Sequence, residues 1–193
     1  IDNEDGAYQA TKYLLQQGHR RIAHIAQDPL IRVSQDRYNG YCKALKEFHV
    51  PIDMDLVLWP EVSENESTEI DLRGGKIYYD AGYRAMKTLL QRGVRLDAIF
   101  FGGDLIAFGA QKAIAEVGIE VPSQLSLIGF DDEIPGYYNL TGKQITTMRQ
   151  PLSEAGYLGV KALIKRLDNP SEPPQKLILK TKLVKRDSCM KIL

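Results

Sequence analysis

The stretch Ser126-Leu127-Ile128-Gly129-Phe130-Asp131-Asp132 decides the fold, because a short apolar run ends in a glycine, an aromatic residue and two carboxylates. In an open α/β sheet, a buried parallel strand presents polar side chains in this way at the crevice beyond its carboxyl end. A second segment, Thr146-Thr147-Met148-Arg149-Gln150-Pro151, is expected to cross to another part of the molecule, with Pro151 opening a helix. Together the two segments predict a small-molecule cleft between two lobes.

Helices and strands alternate along the chain. Strands are expected at 21–26, 55–59, 97–101 and 125–130, and helices at 5–17, 35–48, 80–92 and 104–117. This alternation predicts an α/β fold in which a parallel sheet carries helices on both faces. Residues 61–75 are polar and irregular, which indicates a loop.

The last part of the sequence shows two further patterns. A long helix is expected from residue 151 to about 167, with an inward face formed by Leu152, Ala155, Leu158 and Leu163. Residues 176–187 alternate between apolar and polar side chains, which predicts a late, half-exposed strand or strand pair.

Composition narrows the class of function. The 193 residues include 25 acidic and 25 basic side chains, so this segment lacks the positive charge that binding nucleic acid by itself requires. Cys42 and Cys189 lie far apart and the three histidines are scattered, so we expect a reducing cytoplasm, no metal site and no cofactor. No apolar run approaches ~18 residues, so no membrane span is expected. The chain begins without Met and shows no signal peptide, so we expect a segment of a longer protein.

Six short motifs occur in an order typical of one protein family. They lie at residues 2–7, 18–22, 37–41, 129–132, 146–151 and 183–186. The pattern resembles the effector-binding region of the LacI/GalR family of bacterial transcription regulators, from residue 2 to about residue 188. The resemblance implies a periplasmic-binding-protein-like type I fold, with a doubly wound parallel sheet lobe and part of a second lobe.

The same resemblance divides the chain between the two lobes. It implies an entry helix at the end of the N-terminal lobe (1–19), the C-terminal lobe (20–148), a returning segment of the N-terminal lobe (149–175), and the closing strand or strands with the tail of the C-terminal lobe (176–193). The helix-turn-helix that binds DNA in the family is expected to lie outside this chain.

Two residues are the leading candidates for contact with an effector. The resemblance implies that Arg37 bonds effector hydroxyls, for which a guanidinium offers a rigid fork of donors; the alternative is an exposed or carboxylate-paired arginine. Asp131 resembles the family's cleft carboxylate, which accepts hydrogen bonds from sugar hydroxyls. Asp132 is better suited to cap the turn that follows.

Four further candidates have a structural alternative each. Asp5 is either a polar effector contact or a residue that stabilises a helix start. Gln150 is a contact or a hinge residue, and Asp104 is a contact or a helix cap. Tyr78, with Tyr79, is a candidate aromatic platform for the apolar face of a sugar.

The chain departs from the family at one place. Relatives commonly carry Asn-Asp where this sequence has Gly103-Asp104, preceded by Gly102. The missing side chain is expected to leave a larger, less polar corner, or to free backbone amides for the ligand. Phe130 is expected to pack in the core, and Tyr137 and Tyr138 to lie in a loop that reaches the cleft or a dimer partner.

We therefore expect the effector-sensing and dimerisation region of a LacI/GalR-type regulator, whose sugar or polyol ligand alters operator binding by the parent dimer. Some family members respond to a phosphoprotein partner instead. The alternative is a periplasmic sugar-binding protein of a transport system. An enzyme is disfavoured, because the sequence shows no nucleophile–base pair, metal cluster or phosphate-binding glycine loop.

Overall fold

The computed structural model describes residues 1–61, 75–132 and 144–192. In chain order, its elements are α1 (Asn3–Gln16), β1 (Ile22–Ile25), α2 (Arg32–Glu47), a 3-10 turn (Met54–Leu56), β2 (Val57–Leu58), α3 (Gly75–Gln91), β3 (Ala98–Phe101), α4 (Asp104–Glu116), β4 (Ser126–Asp131), β5 (Thr146–Arg149), α5 (Leu152–Asp168) and β6 (Lys182–Val184).

The strands form one sheet in the order β2-β1-β3-β4-β5-β6, in which only β6 runs antiparallel. β3 shows why such strands are apolar throughout: Ile99 and Phe101 belong to the core under α3 and α4, whereas Ala98 and Phe100 belong to the core under α1 and α2. The expected α/β fold, a mostly parallel sheet with helices on both faces, is confirmed.

Glycines allow the helices of each layer to approach closely. A Cβ on Gly40 of α2 would lie 2.2 Å from the carbonyl oxygen of Glu4 in α1, and one on Gly109 of α4 would lie 1.8 Å from the carbonyl oxygen of Tyr79 in α3. Backbone atoms therefore occupy the space where a side chain would begin, so both helix pairs require glycine at these positions.

Helix α1 belongs to the unit that contains the sheet. Ala7, Ala10 and Leu14 are fully buried in the core that α1 shares with α2 and the strands. The expected placement of residues 1–19 at the end of the N-terminal lobe is therefore wrong for this helix, because its apolar face packs here. The other lobe boundaries remain predictions.

Two elements differ from their predicted form. Residues 146–149 form strand β5, parallel to β4 with Thr146 opposite Ile128, rather than a segment that leaves the sheet. The apolar pattern does not reveal β5, because it buries Thr146 and Thr147, which satisfy their hydroxyl groups by hydrogen bonds. Helix α3 begins at Gly75 instead of residue 80, so Tyr78 and Tyr79 lie inside its first turns. At the end of the chain, the predicted late strand is present as β6.

The expected inward face of α5 is not buried. The helix contains no buried residue, and Leu152 and Leu163 are 62% and 59% exposed. Its amphipathic spacing correctly predicts a helix with an apolar stripe, but spacing cannot say what covers that stripe. Among the described residues, no element does. Separately, none of the described helices is long and apolar enough to cross a membrane.

Candidate functional site

Arg37 lies near the start of α2 and is only 4% exposed. Its Nε donates to Asn3 Oδ1 at 3.1 Å, its Nη2 donates to Asp131 Oδ1 at 2.8 Å, and its Nη1 donates to the carbonyl oxygen of Gly102. The guanidinium lies over the ring of Phe130, 3.8 Å from the ring centre. Arg37 thus joins α1, the end of β3 and the end of β4 at the carboxyl edge of the sheet.

Asp131 and Asp132 end β4 with two successive residues in the left-handed region, at φ 106° and 63°. This backbone separates the two carboxylates, although they are neighbours in sequence. Asp131 Oδ1 accepts hydrogen bonds from Arg37 and from Gln150 Nε2. Asp132 instead pairs with Arg149 of β5 and with Arg186, which follows β6. The structure therefore groups Asp131 with Arg37 and assigns Asp132 to the sheet edge.

The electrostatics of the carboxylates follow this division. Burial raises the pKa of Asp131 above its ordinary value, although the nearby Arg37 guanidinium opposes the shift. Burial likewise lowers the pKa of Arg37, and the charge of Asp131 opposes it. Burial would raise the pKa of Asp132, but hydrogen bonds from Arg149 and Arg186 outweigh it and hold this pKa below the usual range. Arg37 and Asp131 form a mutually compensated ion pair with little water around it.

Asp104 packs against the sheet beside this pair. Its side chain is buried, and its Oδ1 accepts a hydrogen bond from Thr147 Oγ1 at 2.7 Å. A Cβ on Gly129 would lie 2.0 Å from the same oxygen, so the carboxylate rests directly on the backbone of β4. The structure places Asp104 as a link between α4, β4 and β5, where its charge also favours the protonated form of Arg37.

On α1, the structure brings Asn3 rather than Asp5 to Arg37. Asp5 faces Lys180, and its Oδ2 lies 3.6 Å from the Lys180 Nζ. The backbone N–H of Asp5 donates to the side chain of Asp2, which caps the helix. Asn3 was not singled out as a candidate from the sequence, because a polar residue near a predicted helix start is equally typical of a cap. Because the Asp2 side chain caps α1, the Asn3 side chain can accept a hydrogen bond from Arg37.

Tyr78 and Tyr79 pack against the core under α3 and α4, and the structure shows them as parts of that packing. Phe130 is fully buried, as expected, and lies beneath the Arg37 guanidinium. Tyr137 and Tyr138 lie outside the described residues.

A different aromatic cluster adjoins Arg37. His24 of β1 stacks on Phe100 and Tyr41 at ring-centre distances of 4.8 and 5.1 Å, and its Nδ1 contacts the carbonyl oxygen of Phe100 at 3.0 Å. Burial lowers the pKa of His24 to about 4, so the ring is neutral near pH 7. Tyr38 and Trp59, which directly follow Arg37 and β2 in sequence, meet at 5.4 Å beside it. The sequence signal was Trp59 itself, a large aromatic residue at a predicted strand end.

A cavity of about 620 Å³ lies elsewhere, at the amino end of β1, and Arg21, Tyr41, Phe48, Asp53 and Met54 are among its lining residues. Its volume alone lies in the range of small-molecule sites. The hydroxyl of Tyr41, however, already donates to the Ile22 carbonyl, and Arg21 pairs with Asp53. Within the described ranges, no three His, Cys, Asp or Glu side chains come together to hold a metal ion.

A mostly parallel sheet with helices on both faces and polar side chains at its carboxyl edge is typical of ligand-binding domains of the doubly wound α/β class. Residues 11–189 match the model of the periplasmic binding protein-like domain family, and the chain belongs to that family. It corresponds to the effector-binding region of LacI-family regulators, and its relatives are named as regulators rather than transport proteins.

Individual relatives agree with this assignment. The HTH-type transcriptional repressor PurR of Photorhabdus laumondii is 34% identical over 190 residues, which cover 97% of this chain and 50% of that protein. PurR of Yersinia pestis bv. Antiqua is 33% identical over 189 residues, with the same coverage. The chain thus spans about half the length of the curated relatives it matches.

Solved structures support the fold at similar identity. The transcriptional regulator CelR in complex with cellobiose superimposes with a TM-score of 0.82 and 30% identity, over 97% of this chain and 52% of that one. A LacI-family regulatory protein from Chloroflexus aggregans gives a TM-score of 0.81 and 30% identity, over 98% of this chain and 62% of that one.

Proposed function

We propose that this chain senses a small polar effector, a sugar or a related polyol, and that effector binding modulates operator binding by the full-length regulator. The observation that carries the proposal is the Arg37–Asp131 pair at the carboxyl edge of the sheet. In this proposal the regulator is a cytoplasmic homodimer that contacts DNA through a helix-turn-helix outside the present chain.

The chemistry of the pair suits a neutral, hydroxyl-rich ligand. Arg37 supplies N–H donors in a fixed plane, and Asp131 supplies acceptor oxygens, so adjacent hydroxyl groups can donate to one residue and accept from the other. Because the two charges compensate each other, the pair does not by itself demand an anion. The cellobiose complex of the relative CelR is consistent with a saccharide as ligand.

The link from ligand to regulation is proposed to run through Gln150. Its side chain donates to Asp131, and the residue lies immediately before Pro151 and the exposed helix α5. A ligand that competes for Asp131 therefore acts at the base of α5, in the segment 149–175 that we propose returns to the second lobe. The ligand shifts the lobe arrangement only by the difference between its affinities for the two states.

A thermal-shift screen of the protein in its full natural length tests the proposal. The panel contains neutral sugars, sugar phosphates and nucleobases, and each compound is measured on the wild type, Arg37→Ala and the control Arg32→Ala, whose side chain is 91% exposed. A neutral sugar at about 100 times its Kd is expected to stabilise the wild type by about 2.7 kcal/mol. The shift should disappear in Arg37→Ala and persist in Arg32→Ala. If no sugar stabilises the wild type, the proposal is wrong.

A further inference from the structure

The chain that leaves β1 lies directly beside the chain that leaves β3, its parallel neighbour in the sheet. The backbone N–H of Gly102 donates to the Ile25 carbonyl at 2.8 Å. A Cβ on Gly102 would lie 3.2 Å from Ala26 Cα and from the backbone nitrogen of Gln27, which is tighter than ordinary contact. Residues 26–27 and the glycine pair 102–103 are therefore closely packed beside Arg37, which donates to the Gly102 carbonyl.

Gly103 needs no special backbone conformation. Its φ is −174°, which is extended and open to any residue. The space beside it is nevertheless filled, because a Cβ there would lie 2.6 Å from Gln27 Nε2 and 3.3 Å from Asp131 Oδ2. A side chain at position 103 and the carboxamide of Gln27 would thus compete for the same space.

The Gln27 carboxamide and Oδ2 of Asp131 both border the space beside Gly103. Arg37 and Gln150 both donate to Oδ1 of this carboxylate, whereas Oδ2 faces the space between Gly103 and Gln27. The sequence predicted either a larger, less polar corner at Gly103 or backbone amides available to the ligand. The structure corrects the first of these expectations, because the half-buried carboxamide of Gln27 lies at that corner.

We propose that Gln27 is a specificity-determining residue of the effector site, and that it selects a neutral ligand with adjacent hydroxyl groups. The inference rests on the proposed function and deepens it. A carboxamide offers two N–H donors and a carbonyl acceptor without net charge, so it complements a hydroxyl that also bonds Asp131 Oδ2. Because Arg37 is already paired with Asp131, its positive charge is compensated and does not favour a phosphate ester.

Isothermal titration of the protein in its full natural length tests the inference. The probes are ribose, glucose, cellobiose, ribose 5-phosphate and glucose 6-phosphate. For the neutral sugar that binds the wild type best, Gln27→Ala is expected to weaken binding roughly tenfold, the loss of about one ligand hydrogen bond. The control Gln91→Ala, which removes an exposed glutamine at the end of α3, should bind as the wild type does.

A double-mutant cycle tests whether a side chain at position 103 displaces the Gln27 carboxamide. Gly103→Ala should displace the Gln27 carboxamide and weaken the same sugar to a similar extent, whereas adding Gly103→Ala to Gln27→Ala should cost little more. Gln27→Gly combined with Gly103→Asn moves the carboxamide to position 103 and should recover most of the affinity.

The outcomes separate the two claims. If no sugar binds the wild type, the proposed function fails and the role of Gln27 fails with it. If a sugar binds and requires Arg37, but Gln27→Ala binds it equally well, only the inference about Gln27 is overturned. A stronger affinity for the phosphorylated probes than for the neutral sugars would overturn the selection of a neutral ligand.

Discussion

Arg37 Nη2 and Asp131 Oδ1 lie 2.8 Å apart, and this ion pair joins the first turns of α2 to the last residue of β4. The pair connects two layers of the fold at the position where an effector is proposed to bind. It therefore has a structural role and a proposed sensing role, and the two can be measured separately.

The structural role predicts the stability of Arg37→Ala. Removing the guanidinium leaves Asp131 largely buried without its cation and removes the contact on Phe130. We expect the free energy of unfolding to fall by about 3 kcal/mol, a cost typical of breaking one side of a buried pair. Urea denaturation measures it, with Arg32→Ala as the exposed control. Equal midpoints for both variants would contradict a structural role for the pair.

Substitutions of the two carboxylates at the end of β4 should separate the effect on ligand binding from the effect on stability. Asp131→Asn is expected to abolish the thermal shift by the neutral sugar, whereas Asp132→Asn should keep it. Both variants should lose about 1–2 kcal/mol of stability, because each leaves guanidinium groups with a weaker partner. Asparagine tolerates the left-handed backbone at both positions, so the comparison is matched. Loss of the sugar response in Asp132→Asn as well would show that the carboxylates do not act independently.

The lowered pKa of Asp132 also predicts how the stability of Asp132→Asn depends on pH. The two arginines hold that pKa below the usual range, so the carboxylate stabilises the fold above the pKa of the unfolded chain. This contribution is lost as the pH falls through the lowered folded-state value. Asp132→Asn should therefore show a smaller loss of stability in acid than the wild type.

The helix contact at Gly109 predicts opposite effects for two glycine-to-alanine changes. Gly109→Ala places a methyl group against the Tyr79 carbonyl and should destabilise the fold by about 3 kcal/mol. Gly156→Ala lies in α5 with nothing within 4 Å, and should stabilise the 193-residue chain by about 0.5–1 kcal/mol through helix propensity. Thermal unfolding monitored by circular dichroism compares them. A gain in stability for Gly109→Ala would show that α3 and α4 do not pack as described.

His24 predicts a dependence of stability on pH. Burial lowers its pKa from the ordinary 6.5 to about 4, so between these values the unfolded chain binds a proton that the folded chain excludes. Stability from this group is complete above pH 6.5 and decreases as the pH falls, by about 2 kcal/mol between pH 7.5 and 5.

His24→Phe keeps an aromatic ring among Phe100 and Tyr41 and should lack this part of the pH dependence. His49→Asn, at an exposed position with φ 56°, should retain it. Urea midpoints at pH 7.5 and 5 provide the measurement. An unchanged acid loss in His24→Phe would mean that another group is responsible.

The sequence predicted those parts of the fold and site that local patterns specify. Buried apolar strands and helix stops identified four of the strands, and Asp131 was chosen as a candidate because a carboxylate that ends such a strand is expected to face the crevice. Strand β5 was missed because hydrogen-bonded threonines replace apolar side chains there. The sequence could not show whether another element covers the apolar stripe of α5, because periodicity describes the surface of the helix alone.

The remaining site residues depend on contacts between distant segments. Asn3 accepts a hydrogen bond from Arg37 where Asp2 caps α1, and Gln27 occupies the space at Gly103 because the chain leaving β1 packs beside the end of β3. Neither relationship has a signal in its own stretch of sequence. Gly103 was the nearest indication, because it stands where relatives commonly carry asparagine.

The two left-handed residues that end β4 also affect how this site can change over generations. Asp131 and Asp132 are chemically identical, and backbone rotation directs one toward Arg37 and the other toward the arginines at the sheet edge. In the proposed site, mutations at 131 are therefore expected to alter ligand preference, while the arginine-bound Asp132 preserves the edge of the sheet. A one-residue deletion in this turn would remove one of the two carboxylates and change the backbone rotation that separates them, so we expect the segment to accept substitutions more readily than changes in length.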